Sequence, residues 1–243
     1  MIAPSLIKSV KGRGGLWFED KVNLVGIRST SQLPDRFNDE LHIVFKRPAL
    51  PNKIDTMTLQ QTLCNALSIY RMGLITVDGI YGNETKDALN WYNSDLHNNQ
   101  HLVFDITTVP GVVMLNKPIN PKGALVMKPG QYVDAYQSGY HKGNKLHPAL
   151  IQCGKITVYR DNDKDDIAEE TNLVENGLFG ANIHGAKQDQ TRDRIGAYSA
   201  GCQVHNTWDN LLTMMSVVYL FEGLKKQNKF TYTLLRESEL ILS

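Results

Sequence analysis

The chain has 243 residues, of which 42% are hydrophobic and 21% are charged, proportions that are ordinary for a globular protein. Its 26 basic and 25 acidic residues leave a net charge of +1. The basic surplus typical of nucleic-acid-binding proteins is missing, so we expect no DNA or RNA partner. The cysteines Cys64, Cys153 and Cys202 are too few for a disulfide framework and lack the spacing of a zinc site.

Residues 1–19 contain a basic, glycine-rich segment ahead of Trp17 and Phe18. We interpret residues 1–19 as an arm that orders late, and a solvated tail is favoured over a docking tail. The segment lacks an apolar run of signal-peptide length, and no stretch of the chain has the length and apolarity of a membrane span. We therefore expect synthesis in the cytoplasm without a signal peptide, and no membrane insertion.

Two segments of alternating apolar and polar residues, 41–46 and 102–106, predict strands that pair as a hairpin. Residues 48–101 are then an insertion at the tip of this hairpin, and Pro48 marks where the chain leaves the first strand. The spacing of Leu59, Leu63 and Leu67 predicts a helix that ends near Gly73. A second helix is predicted to begin near Asn83.

The segment between these helices contains the turn Asp78-Gly79, followed by Tyr81. Together with Leu59 and Gln60, it is similar to the peptidoglycan-binding type 1 module, a small three-helix domain. This resemblance implies that Asp78, Gly79 and Tyr81 contribute to wall binding. An ordinary interhelical turn, a spacer or a protein-docking element would explain the same residue types.

From Val112 onward, short apolar segments separated by turn residues predict a mostly antiparallel β sandwich or barrel. A strand is expected at each of residues 112–115, 124–127, 149–152 and 155–159. Asn206-Thr207 is predicted to cap a helix over residues 208–226, and a last strand follows at 230–234. The predicted fold class is α+β, with a β-rich domain (20–47 and 102–243) and an inserted three-helix domain (48–101).

The carboxylates of Asp161, Asp163 and Asp165 stand at alternate positions, as they do in calcium-binding loops. Asp166 occupies the place where an EF-hand loop needs glycine, and Asn172 the place of its bidentate glutamate. A solvated acidic turn is the simpler interpretation, and calcium is a weak candidate. No other cofactor is predicted, and a metal site built from His184, His205 and Cys202 has only its residue types in its favour.

The strongest chemical signal is one histidine and one cysteine, His184 and Cys202, separated by 18 residues. A thiol attacks a carbonyl as the thiolate, and an imidazole within hydrogen-bond reach removes its proton and stabilises the resulting ion pair. Gly201 allows backbone to approach a substrate closely, and nearby amides could hold an oxyanion. A buried structural cysteine and a merely hydrogen-bonded histidine are the alternative.

The motif Asn182-Ile183-His184 and, after a polar loop, Ser199-Ala200-Gly201-Cys202 resembles the L,D-transpeptidases of the YkuD type. In that family a base histidine precedes a Ser-His-Gly-Cys nucleophile motif, and this version is similar to a divergent branch found in phage and prophage proteins. Ala200 replaces the histidine before Gly-Cys, and Val204 stands where the family usually has Arg or Asn. Further similar segments are residues 25–28, 37–39, 108–111, 128–132 and 159–161.

The resemblance implies a cysteine acyl-transfer enzyme acting on peptidoglycan stem peptides, with Cys202 as nucleophile, His184 as base and a carbonyl near Gly185 orienting the imidazole. The residues expected to line the substrate cleft are Ser199, Gly201, Gln203, Tyr140 and His141. Hydrolysis is favoured over cross-linking, because a protein without a signal peptide reaches the wall through a virion, an injection system, a holin or lysis. The alternative is a non-catalytic component of a phage tail or contractile injection system.

Overall fold

A computed structural model describes residues 4–31, 33, 35–94, 98–188 and 190–241, which form an α+β fold made mostly of strands. The α-helices in these residues are α1 (Pro4–Gly12), α2 (Thr56–Ile69), α3 (Asn83–Ser94), α4 (Val112–Asn116) and α5 (Trp208–Lys225). The strands are β1 (Asn23–Arg28), β2 (Asp39–Lys46), β3 (Asn99–Thr107), β4 (Ala124–Met127), β5 (Gly130–Tyr140), β6 (Pro148–Gln152), β7 (Ile156–Asp161), β8 (Val174–Gly177), β9 (Ile183–Gly185), β10 (Gln203–His205) and β11 (Phe230–Arg236).

Eight strands close into a barrel in the order β1-β11-β5-β6-β9-β10-β3-β2. Its neighbouring strands are antiparallel except for β1 with β11 and β9 with β10, which are parallel. The strands β4, β7 and β8 form a separate antiparallel sheet. Of the two predicted β architectures, sandwich and barrel, the barrel is therefore the one that forms, and its closure leaves no unpaired sheet edge.

The predicted hairpin is confirmed, because β2 and β3 pair from Asp39 opposite Ile106 to Lys46 opposite Asn99. The insertion at its tip contains two helices in its described residues, α2 and α3, where three were expected. Leu63 and Leu67 of α2 belong to the same hydrophobic core as Met214 and Phe221 of α5. The inserted helices thus share the core of the barrel domain.

The N-terminal segment is a docked helix, so its interpretation as a solvated arm is wrong. Leu6 and Val10 lie one helical turn apart on α1 and are buried against Val25 of β1 and Leu235 of β11. The hydroxyl of Ser9 also accepts a hydrogen bond from the backbone N–H of Ile241 at 2.8 Å. Two apolar residues beside a glycine-rich stretch were too weak a pattern to predict this helix.

The predicted strand at residues 112–115 is also wrong, since these residues lie in α4. A short apolar run fits a strand or a buried helical turn equally well by periodicity. Asp35 stabilises the helical form, because its Oδ1 accepts a hydrogen bond from the backbone N–H of Val112 at 3.2 Å, at the start of α4.

A buried charge pair fixes the segment on which the candidate site rests. Asp39 Oδ2 accepts hydrogen bonds from Thr108 N (2.6 Å) and Thr108 Oγ1 (2.8 Å). Arg28 donates from Nε to Thr108 Oγ1 and from Nη2 to Thr108 O, both at 3.0 Å. Burial lowers the pKa of Arg28 and raises that of Asp39, and these hydrogen bonds offset part of the cost of desolvating two charges.

In the described part of the chain, no helix combines the length and apolarity needed to traverse a bilayer.

Truncation of Leu6 tests whether α1 contributes to the stability of the fold. We expect Leu6→Ala to lower the free energy of unfolding by about 2 to 5 kcal/mol, because it leaves a cavity against the barrel. The exposed neighbour Lys8 provides the control, and Lys8→Ala should change stability by less than about 0.5 kcal/mol. Urea unfolding measures both, and equal small effects would contradict the docked helix.

Candidate active site

The parallel pairing of β9 with β10 brings the predicted base and nucleophile to one region of the barrel. Val204 is in register with His184, and Gln203 with Ile183. Cys202 directly precedes β10, so the same register sets it beside Asn182, two residues from the partner of His184. From strand geometry, the Cα atoms of Cys202 and His184 are about 8 Å apart.

His184 is held in an orientation suited to a base. Its Nδ1 donates to the carbonyl oxygen of Gly185 at 2.8 Å, since a carbonyl can only accept. The tautomer is therefore Nδ1–H, which leaves Nε2 as an unprotonated acceptor without a hydrogen-bond partner. The expected contact with the Gly185 carbonyl is therefore present, and its role in catalysis stays a prediction.

The His184 imidazole is neutral because it is buried among other imidazoles. It is only 3% exposed, and its ring stacks on His141 with centroids 3.9 Å apart. His147 approaches both rings and packs on Trp208, with a centroid distance of 4.8 Å to the indole. Burial, with repulsion from His141, lowers the pKa of His184 to about 3, and burial lowers that of His141 to about 4.

Asn182 connects this histidine cluster to the sheet. Its Nδ2 contacts His141 Nδ1 at 3.4 Å, and its Oδ1 accepts from the backbone N–H of Gln152 at 3.0 Å. Neither Asn182 nor His147 was predicted to have a role of its own. The available signal for His147 was a second histidine in the same glycine-containing loop as His141.

The Cys202 thiol is half-buried and lies next to backbone groups. Its Sγ donates to the carbonyl oxygen of Gly180 at 3.6 Å, and no hydrogen bond joins it to His184 Nε2. Burial raises the pKa of Cys202, an effect partly offset by the backbone N–H of Asn182 and the charge of Lys142. The free protein therefore holds a neutral thiol beside a neutral imidazole, which differs from the expected ion pair.

The loop that carries Cys202 owes its shape to Ser199 and Gly201. The Ser199 hydroxyl donates to Cys202 O at 2.8 Å and accepts from Gly201 N at 3.2 Å. Gly201 has φ +123°, and an added Cβ would lie 2.5 Å from Leu125 Cδ2. A side chain at position 201 would thus be strained by its backbone and excluded by its neighbour.

Asp35, which no sequence pattern marked, fastens the loop between His184 and Cys202. Its Oδ1 accepts from Gly196 N at 2.6 Å, and its carbonyl accepts from Ile195 N at 3.1 Å. Gly111 N donates to Ser199 O at 3.0 Å. These bonds hold residues 195–199 of this loop against Asp35 and Gly111. Gly111 follows closely after Thr108, which Arg28 and Asp39 fix by hydrogen bonds.

The predicted cleft residues take different places. Gln203 and Ser199 have fully buried side chains, so neither side chain faces an open cleft in the free protein, and their expected contact with substrate stays a prediction. Gln203 Oε1 instead accepts a hydrogen bond from Tyr232 Oη at 3.0 Å, which ties β10 to β11. Tyr140 is exposed, and His141 covers His184.

An open groove of about 340 Å³ lies beside the loop that carries Cys202. Ala200 lines it, whereas Val204 is fully buried and does not. Of the two departures from the family pattern, only the one at position 200 therefore faces this groove. Its lining residues are Met114, Pro118, Ile119, Asn120, Gly123, Ala124, Leu125, Arg160, Phe179 and Ala200.

The Asp78-Gly79 turn in the insertion has an internal partner. The buried Gln60 side chain donates to Asp78 Oδ1 at 2.9 Å and accepts from the Gly79 N–H at 2.8 Å. This explains the residue types at both turn positions without a ligand. Tyr81 is 52% exposed, and its wall-binding role stays a prediction.

The acidic loop after β7 uses its carboxylates internally. Asp161 Oδ2 accepts from Glu169 N at 2.8 Å, Asp163 Oδ1 from Asp165 N at 3.2 Å, and Asp165 Oδ1 from Ile167 N at 2.7 Å. Among the described residues, no group of three or more His, Cys, Asp or Glu side chains is arranged to hold a metal ion. Neither the calcium candidate nor the His184, His205 and Cys202 set gains support.

The chain was compared with protein-family models, curated proteins and solved structures, and no match was found in any of the three.

The neutral state of the pair predicts slow alkylation of Cys202. In the free protein, carboxamidomethylation by iodoacetamide should accelerate only at a pH above the ordinary thiol pKa of about 8.5, because burial raises the pKa of Cys202 and the thiolate is the reactive form. His184→Ala should leave this pH profile unchanged. Peptide mass spectrometry separates Cys202 from Cys64 and Cys153, and a fast plateau between pH 5 and 7 would contradict the neutral pair.

Proposed function

We propose that the protein is a cysteine acyl-transfer enzyme that hydrolyses peptide bonds in peptidoglycan stem peptides. The observation that carries this proposal is the free Nε2 of His184, fixed by the Gly185 carbonyl on the strand next to the one that Cys202 precedes. A fixed neutral imidazole is the form that accepts a proton in general-base catalysis. An open groove beside the nucleophile loop supplies room for a substrate.

In the proposed reaction, Cys202 Sγ forms a bond to the substrate carbonyl carbon while its proton passes to His184 Nε2. The tetrahedral intermediate collapses as the C–N bond breaks, and His184 gives the proton to the leaving amine. Water then attacks the thioester, releasing a carboxylic acid and restoring the thiol. An amine in place of water would instead form a new peptide bond.

Because the thiol has a raised pKa and the imidazole a lowered one, a preformed ion pair is disfavoured in the free protein. Proton transfer therefore accompanies carbon–sulfur bond formation in this proposal. It also requires the thiol to exchange its contact with Gly180 O for one with His184 Nε2.

The substrate class rests on the resemblance of residues 182–204 to the L,D-transpeptidases, which implies a carbonyl beside a diaminoacyl or D-residue centre. Water as the acceptor gives hydrolysis and an amine gives transfer, and the masses of the released muropeptides distinguish the two. Peptidoglycan is accordingly the proposed partner of the whole chain, including the insertion.

The second candidate is a non-catalytic component of a phage tail or injection system. One observation favours it: the Cys202 thiol donates to Gly180 O and makes no hydrogen bond to His184. In this reading the site residues only stabilise the barrel, and the insertion provides the docking surface.

Substitution of the pair separates the two candidates. Cys202→Ala should abolish the release of soluble muropeptides from purified sacculi, and His184→Ala should lower it by at least about 100-fold through loss of the base. Cys153→Ala removes a half-buried thiol elsewhere and should retain parental activity.

Thermal unfolding of each variant shows whether the fold is kept. If folded Cys202→Ala and His184→Ala proteins digest sacculi like the parent, the enzyme proposal fails. If the parent itself releases nothing, the non-catalytic candidate is favoured.

A further inference from the structure

The groove beside Ala200 begins next to the nucleophile. Ala200 lies two residues before Cys202, and Phe179 precedes Gly180, whose carbonyl accepts the hydrogen bond from Cys202 Sγ. When the reactive carbonyl of a substrate contacts Cys202 Sγ, the neighbouring part of the substrate chain can therefore lie in this groove.

The groove combines apolar walls with one charged side chain. Met114, Ile119, Leu125 and Phe179 supply the apolar surface, and Arg160 is the charged residue among the described residues that line it. The Arg160 side chain is only 7% exposed. Its guanidinium stacks over the Phe179 ring, with Cζ 5.2 Å from the centroid.

The hydrogen bonds of Arg160 leave part of its guanidinium free. Its Nε donates to Glu175 Oε2 at 2.7 Å, and its Nη1 to Gly123 O at 3.5 Å. Within the described residues, Nη2 makes no hydrogen bond, although a guanidinium has five N–H donors in a planar fork.

The local charge also remains positive. The Glu175 carboxylate is shared between Arg160 and Lys122, whose Nζ lies 2.6 Å from Glu175 Oε1. Two cations thus share one anion, and Arg160 is the member of this group that lines the groove. A second carboxylate would complete the charge balance and take the unused Nη2 donors.

We propose that Arg160 is a specificity residue that binds a free carboxylate of the substrate peptide, on an aliphatic residue next to the scissile carbonyl. This assignment rests on the proposed function for its orientation relative to Cys202. The apolar walls accommodate the aliphatic part, and the half-neutralised guanidinium selects an acid over the corresponding uncharged amide.

Binding to the Cys202→Ala protein tests the proposal without turnover. The probes are a purified stem tetrapeptide with a free carboxylate on its diaminoacyl residue and the same peptide with that carboxylate amidated. Isothermal titration should show the acid binding at least about 10-fold more tightly than the amide. In the Arg160→Gln background the two peptides should bind equally.

Lys155→Gln is the matched control, because Lys155 is an exposed cation at the turn between β6 and β7. It should preserve the preference for the acid. Arg160→Lys keeps the positive charge but loses the planar pair of N–H donors, so it should retain part of the preference for the acid. This variant also tests the proposal if Arg160→Gln does not fold.

Equal binding of acid and amide to the Cys202→Ala protein would overturn the proposal, as would a preference that survives in folded Arg160→Gln. Failure of the proposed function gives a different pattern. If only the proposed function is wrong, the protein still binds the acid more tightly than the amide, but the parent protein hydrolyses no substrate. If only the role of Arg160 is wrong, the parent protein hydrolyses substrate but binds acid and amide equally.

Discussion

The candidate site depends on the parallel pairing of β9 with β10. That pairing sets Val204 against His184 and places Cys202 near the imidazole, although 18 residues separate His184 from Cys202 in the chain. The Gly185 carbonyl, on the strand itself, accepts the Nδ1 proton and so decides which imidazole nitrogen is free. A backbone carbonyl, rather than a third side chain, therefore orients the His184 imidazole.

The surroundings of His184 have an energetic consequence. Stacking on His141 and burial beside His147 keep the ring neutral, since a charged imidazole there would lose solvation and meet other imidazoles. In the proposed mechanism, neutrality suits His184 as the proton acceptor but disfavours the imidazolium that would form next. Contact with substrate, which would add charge at the reacting carbonyl, is the proposed source of compensation.

The sequence predicted the elements whose patterns were long or strongly marked. The β2–β3 hairpin followed from alternation, and the start of α5 from Thr207, whose hydroxyl accepts from Asn210 N. Barrel closure depends on long-range strand pairing, which the periodicity of the sequence does not encode. The segments of α1 and α4 are short, and tertiary contacts determine that they are helical. At the candidate site, the motif marked His184 and Gly185, which the structure joins by a hydrogen bond, whereas the contacts of Asp35 and His147 arise only through folding.

The central claim is that His184 is a neutral imidazole with its proton on Nδ1 and no hydrogen-bond partner at Nε2. Nitrogen-15 NMR of the histidine side chains, with His184 assigned by comparison with His184→Gln, measures this directly. The structure predicts the Nδ1–H tautomer at pH 7 and no titration down to about pH 5, given a pKa of about 3. An Nε2–H tautomer, or a titration near the ordinary value of about 6.5, would contradict the claim.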